Sequence, residues 1–244
     1  MMHFQEKWCQ VLSQLAQLRD YDNNQVVFGA QHHHYVFHPR ATASEIANTE
    51  KRLGCTFPQE LHYVYGEIGN GGVGPDWGLL RLDELEAISG ESAGLAGANN
   101  FIGLVARYYN YYDAMQCEGL QQGQLFALEE EAFCYYTAPD LATLYQLWLA
   151  PELSHFAQLH EAILAGCSIT DIAQNYTRQN RTGPEKILRY AASLLGWNEF
   201  ARAEMHTQDY AYRWLDLQTY VIKDFMRDLF QEKLLSYRQR HAQL

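Results

Sequence analysis

The sequence predicts an α+β body over residues 1–150, followed by an all-helical C-terminal extension over 151–244. Two observations carry this reading. Up to residue 150, amphipathic helical stripes alternate with short β-rich runs and end in a hairpin-like pair. After Pro151, four or five helical segments follow without a convincing strand. The 244 residues, 48% hydrophobic and 14% aromatic, are enough for one large domain, or a domain plus an extension, with a proper core.

In chain order, Phe4, Trp8, Val11, Leu12, Leu15 and Leu18 recur at helical spacing and open the chain with an amphipathic helix. A polar turn from Tyr21 to Asn24 leads into QVVFGA (25–30) and HYVFHP (34–39), which read as short strands. Thr42 and Glu45 have capping-box spacing, and Ile46 and Leu53 mark a helix that stops at Gly54. Thr56 and Gln59 repeat that spacing. Pro58 suits a first turn, and Leu61, Val64, Tyr65 and Ile68 form one helical face.

That helix runs into GNGGVG, Gly69–Gly74, which matches the glycine pattern of a dinucleotide-binding loop letter for letter. A phosphate loop needs a strand before the glycines and a helix after them. Here a helix precedes and the strand-like run WGLLRL (77–82) follows, and no Gly-Lys-Ser/Thr is present. The expectation is a tight turn with two or more glycines at positive φ, and no nucleotide. DELEAI (83–88) reads as one helical turn and 89–100 as a loop, while 101–118 fits a helix and strands equally. GQLFAL (123–128) and AFCYYT (132–137) flank Glu129-Glu130-Glu131 as a hairpin, and Leu141, Leu144, Tyr145 and Trp148 give a closing helix. The extension is punctuated by Gly166, Gly183-Pro184 and Gly196, and its last helix carries Trp214, Leu217, Val221, Phe225 and Leu229. Its apolar stripes should pack on the body or on a second copy, so the tail offers a route to an oligomer.

Composition excludes several classes of function. The formal net charge of -11 disfavours nucleic acid, whose phosphates need a basic face, and favours a basic protein partner. No window approaches 18 apolar residues, and the N-terminus lacks a basic n-region with an apolar run, so neither a membrane span nor a signal peptide is expected. The five cysteines are odd in number and no pair is C-x-x-C, which fits reduced thiols in the cytoplasm.

The ordered run EIANTEKRLGCTFPQELHYVYGEIGNGG, then GLLRLDEL, resembles the core of the SUKH superfamily. Its features are Glu50 and Leu53-Gly54, Pro58 opening the next helix, Glu60-Leu61 with an aromatic at Tyr65, Gly69-Asn70-Gly71-Gly72, and Gly78-Leu79-Leu80 followed by Leu82 and an acidic residue. That superfamily includes fungal cell-wall assembly regulators of the Smi/Knr type and many bacterial immunity proteins. The resemblance implies a twisted, mostly antiparallel sheet packed with helices. It implies binding rather than catalysis, with neutralisation of a bacterial toxin as the leading expectation, a regulatory scaffold as the rival, and an enzyme with an unrecognised site as the third reading. The extension lies outside the family core, and the tryptophan-and-glycine hairpin expected after residue 100 is missing.

Candidate partner-binding residues follow from exposure and charge. Asp76 and Trp77 sit in the glycine loop, where Trp77 either packs on the sheet edge or anchors a partner. Glu129, Glu130 and Glu131 form either a solvated hairpin tip or an acidic contact for a basic toxin. Of His32, His33, His34 and His38, the first, third and fourth would share a face in a strand, which favours a metal, but no acidic or cysteine ligand lies nearby at diagnostic spacing and the run also fits a turn, so structural histidines are expected rather than a metal. GCSITDIAQNY (166–176) looks like the first helix of a helix-turn-helix but has no recognition helix at the right offset. No catalytic motif and no cofactor motif is recovered.

Overall fold

A computed structural model of the chain describes residues 3–88, 101–107, 111–129, 134–180, 184–197, 215–216, 221–222 and 224–241. The loop expected at 89–100, Tyr108, Tyr109, Glu130, Glu131, Trp214 and Leu217 lie outside the described residues. The architecture is α+β, an antiparallel sheet packed with helices. The chain divides into two compact units, Met1–Ala16 with Phe28–Ala150, and Gln17–Val27 with Pro151–Leu244.

The first unit begins with α1 (His3–Tyr21), whose Trp8 and Val11 are fully buried. QVVFGA is not a strand: the short helix α2 (Ala30–His33) starts at its end, and of the second run only Phe37 bridges, to Gly72. Helix α3 (Ala43–Leu53) carries the capping box read from the sequence. The Thr42 hydroxyl accepts from the Glu45 N–H at 3.2 Å, the Glu45 carboxylate accepts from the Thr42 N–H at 2.7 Å, and Gly54 closes the helix.

The second expected capping box does not form. Helix α4 (Gln59–Tyr63) starts later, with Pro58 rather than Thr56 at its N-cap and no side-chain cap, while the Phe57 N–H donates to Glu50 Oε1 at 2.7 Å. Helix α4 widens into a π-turn, Val64–Ile68, which delivers the chain to the glycine loop. There Gly71 and Gly72 have φ of 78° and 112°. Gly72 bridges both Phe37 and Leu79, and Leu79 bridges Val105. The run WGLLRL therefore lines the sheet edge through one bridging residue rather than as a full strand. DELEAI is a turn that leads into a strand, not a helical turn.

The sheet is a five-stranded antiparallel meander in the order β1 (Ala87–Ile88), β2 (Phe101–Ala106), β3 (Tyr111–Gln116), β4 (Leu125–Glu129) and β5 (Cys134–Ala138). The ambiguous stretch 101–118 thus supplies two strands, with a register shift between Gly103 and Val105. One face buries Phe101, Ala114, Phe126 and Leu128, with Ile88 against them. Phe101 and Phe126 meet edge to face at 5.6 Å. Two buried tyrosines fasten the helices to the glycine-loop strands. Tyr65 donates to the Leu80 carbonyl at 2.9 Å and Tyr145 to the Val73 carbonyl at 2.6 Å. Helix α5 (Leu141–Leu164) does not stop before Pro151 but carries it inside. A proline there forfeits one backbone bond and strains one turn, which flanking burial offsets.

In the second unit, helices α6 (Ile169–Asn180), α7 (Pro184–Leu194) and α8 (Asp224–His241) accompany the 151–164 half of α5. The described elements there are helices apart from a short ribbon of two two-residue strands, β6 (Leu215–Asp216) with β7 (Val221–Ile222). Phe156 and Tyr190 stack at 4.8 Å. Arg238 donates to the carbonyls of Ile163 and Cys167, satisfying the C-terminal end of α5. The buried Asp22 carboxylate accepts from the N–H groups of Val26 (2.9 Å) and Val27 (3.0 Å) and from the Ser193 hydroxyl (2.6 Å). This local satisfaction is why the Gln25–Ala30 run needs no sheet partner.

Candidate binding groove

Asp76 and Trp77 stand on a turn between the bridging residues Gly72 and Leu79, closed by the Gly78 N–H on the Pro75 carbonyl at 2.8 Å. Asp76 takes a left-handed backbone, φ 48°. Trp77 is 40% exposed, and its ring stands edge-on to His32 at 4.1 Å and to Phe28 at 5.8 Å. Phe28 is itself 46% exposed, so the two aromatics form a solvent-facing pair. Glu129 ends β4, and its side chain, like Glu130 and Glu131, lies outside what the structure describes.

Beside Trp77 lies a groove of about 430 Å³, lined by Pro75, Asp76, Arg107, Thr137, Trp148 and exposed Tyr135, among others. Its floor is an ion-pair cluster that the sequence reading missed. Arg107 Nε donates to Asp113 Oδ2 at 2.6 Å and lies 3.6 Å from Asp76 Oδ2. The second separation is an ion pair without a hydrogen bond. Asp113 is fully buried beside the Thr137 hydroxyl, which together with Arg107 opposes the rise that burial imposes on its carboxyl. Burial raises the carboxyls of Asp76 and Asp113 above the ordinary range, with Arg107 opposing in both cases. A signal for this cluster does exist in the sequence. Asp113 interrupts the tyrosine-rich strand YYDAM, where an aspartate is out of place unless paired.

His32 and His33 fall on α2 and His34 caps it, while His38 follows the bridging Phe37, so the four do not share one strand face. His33 is buried, its Nδ1 accepts from the Tyr35 N–H at 3.1 Å, and its ring stands edge-on to Trp148 at 6.0 Å. Among the described residues no three His, Cys, Asp or Glu side chains converge on a point that could hold a metal ion. Desolvation, reinforced by His34 and His32, pushes the His33 imidazole down to about 4 from 6.5. The unfolded chain therefore binds a proton between those two values that the folded chain refuses. Stability should be level above pH 6.5 and fall by about 3 kcal/mol towards pH 4 on this account. Asp76 and Asp113 titrate in the opposite sense, so the informative measurement is a difference. Urea unfolding at pH 7 and pH 4.5 should show His33→Gln losing less stability on acidification than the unsubstituted chain. Equal losses would mean that His33 is not held neutral.

The described helices include none long and apolar enough to cross a membrane. The fold and its groove define an α+β module that presents an aromatic and acidic surface beside the edge of an antiparallel sheet. Residues 40–158 match the SMI1 / KNR4 family (SUKH-1), and through this segment the chain belongs to the SUKH superfamily. No curated protein and no solved structure matches the chain.

Proposed function

We propose that the chain is a non-catalytic immunity protein, which neutralises a bacterial toxin by direct binding and docks the toxin on the Trp77 side of the first unit. The observation that carries this is the exposed Trp77–Phe28 pair beside the Asp76–Arg107–Asp113 groove. Large aromatics next to charge are the usual anchors of an interface. The net charge of -11 suits a basic effector, which it would steer towards the surface over about 8 Å at physiological salt. A regulatory scaffold of the cell-wall assembly type is the second reading, supported by the family that residues 40–158 match.

The deciding experiment is purification of the tagged chain from its native host with identification of what it retains, followed by an inhibition assay on that partner. A basic toxin whose activity is abolished by the bound chain supports immunity. A cell-wall assembly complex instead would favour the scaffold. Association should slow as salt rises. Trp77→Ala should speed dissociation by about 30-fold, the equivalent of about 2 kcal/mol. A toxin complex insensitive to both salt and Trp77→Ala would move the interface elsewhere.

A further inference from the structure

We propose that the groove between the Asp76 turn, β5 and α5 is a receptor for a single arginine side chain of a protein partner, with Asp76 as its counter-ion and Tyr135 as its stacking wall. This rests on the reading of the surface as the docking face for a basic effector, and it names the group that enters.

The charge balance of the floor is the first support. Two carboxylates, Asp76 and Asp113, face one guanidinium, Arg107, which leaves one negative charge uncompensated. The two acids are not equivalent. Asp113 is fully buried and holds Arg107 at 2.6 Å, so its charge is spent. Asp76 lies 3.6 Å from the same nitrogen, outside hydrogen-bond reach, and its side chain is 34% exposed at the groove wall. It is the carboxylate an incoming cation can meet. Its elevated carboxyl shows that Arg107 does not repay its desolvation.

The walls are the second support. Tyr135 is 53% exposed and shares the groove with Trp148. A planar guanidinium can stack on such a ring while forking onto a carboxylate, with N–O separations of about 2.7–2.9 Å. A lysine ammonium gains the ring attraction without the fork and gives up a tighter hydration shell. The groove should therefore prefer arginine.

The test is a titration of the full chain with N-acetyl-arginine amide, followed through the tryptophan indole resonances. Saturable shifts are expected, with N-acetyl-lysine amide weaker by about fivefold or more and N-acetyl-glutamate amide inert. Asp76→Asn keeps a residue that tolerates the left-handed backbone, so the turn should survive while affinity falls by about tenfold. Tyr135→Leu should weaken binding independently. Absence of saturable binding, lysine binding as tightly as arginine, or an Asp76→Asn variant that binds equally well overturns the receptor. The docking reading is separated by the partner itself. A toxin whose binding is weakened by Trp77→Ala but unchanged in Asp76→Asn overturns the arginine receptor and leaves the docking face standing. A toxin indifferent to both substitutions overturns the docking face, and with it the receptor as a site for that partner, even where N-acetyl-arginine amide binds.

Discussion

Replacing Glu60 with alanine should destabilise the first unit by about 4 kcal/mol, one of the largest losses expected of any single substitution in the chain. Glu60 is 7% exposed, yet its carboxylate binds three donors from two distant segments. Oε2 accepts from the Leu141 N–H at 2.9 Å, and Oε1 accepts from the Ala142 N–H at 2.9 Å and from the Trp8 indole at 2.8 Å. A side chain from α4 thus caps the N-terminal end of α5, where unpaired N–H groups and the helix dipole both favour an anion. It also fixes a fully buried tryptophan of α1. Alanine would orphan all three donors in an apolar site. Glu60→Gln retains one acceptor but turns an amide donor towards helix N–H groups, and should cost about half as much. Urea unfolding of the two variants decides it. Losses under 1 kcal/mol for alanine would show that water replaces the carboxylate.

Glu60 also shows where the sequence is silent. The pair Glu60-Leu61 was legible as part of a family pattern, and Pro58 as a helix start, but the donors lie 52, 81 and 82 residues away. Features set by neighbours within a few residues were readable. The Thr42–Glu45 box, the Gly54 stop, the order of helix, glycine turn and extended run, and the hairpin that β4 and β5 form are of this kind. Features decided by distant partners were not. QVVFGA has strand-like composition, but the Asp22 carboxylate takes up the Val26 and Val27 N–H groups, and that carboxylate is itself held by the Ser193 hydroxyl, 171 residues away. The binding groove divides in the same way. Asp76 and Trp77 stood out beside the glycines, whereas Arg107, Tyr135 and Trp148 come from the end of β2, from β5 and from α5 and meet only in the folded unit.

The second large effect is expected at Gly29, the residue that seats the candidate site. Its φ is +81°, and a Cβ built there would overlap the backbone carbonyl oxygen of Asp76. Two penalties combine in Gly29→Ala. An L-residue in the left-handed region costs about 1 kcal/mol. The clash with backbone, which cannot rotate aside as a flexible side chain would, must push the Pro75–Trp77 turn outward, and brings the total to about 3 kcal/mol. Gly54→Ala separates the two, because Gly54 has φ +70° with nothing within 4 Å of a Cβ and should lose the strain alone. Displacing the turn should also strip Trp77 from His32 and Phe28, visible as a red-shifted and more easily quenched tryptophan fluorescence in Gly29→Ala but not in Gly54→Ala. If the two glycine variants lose equal stability and share one emission spectrum, then Gly29 does not underlie Asp76, and the turn that carries Asp76 and Trp77 is held by its own hydrogen bonds and the sheet edge.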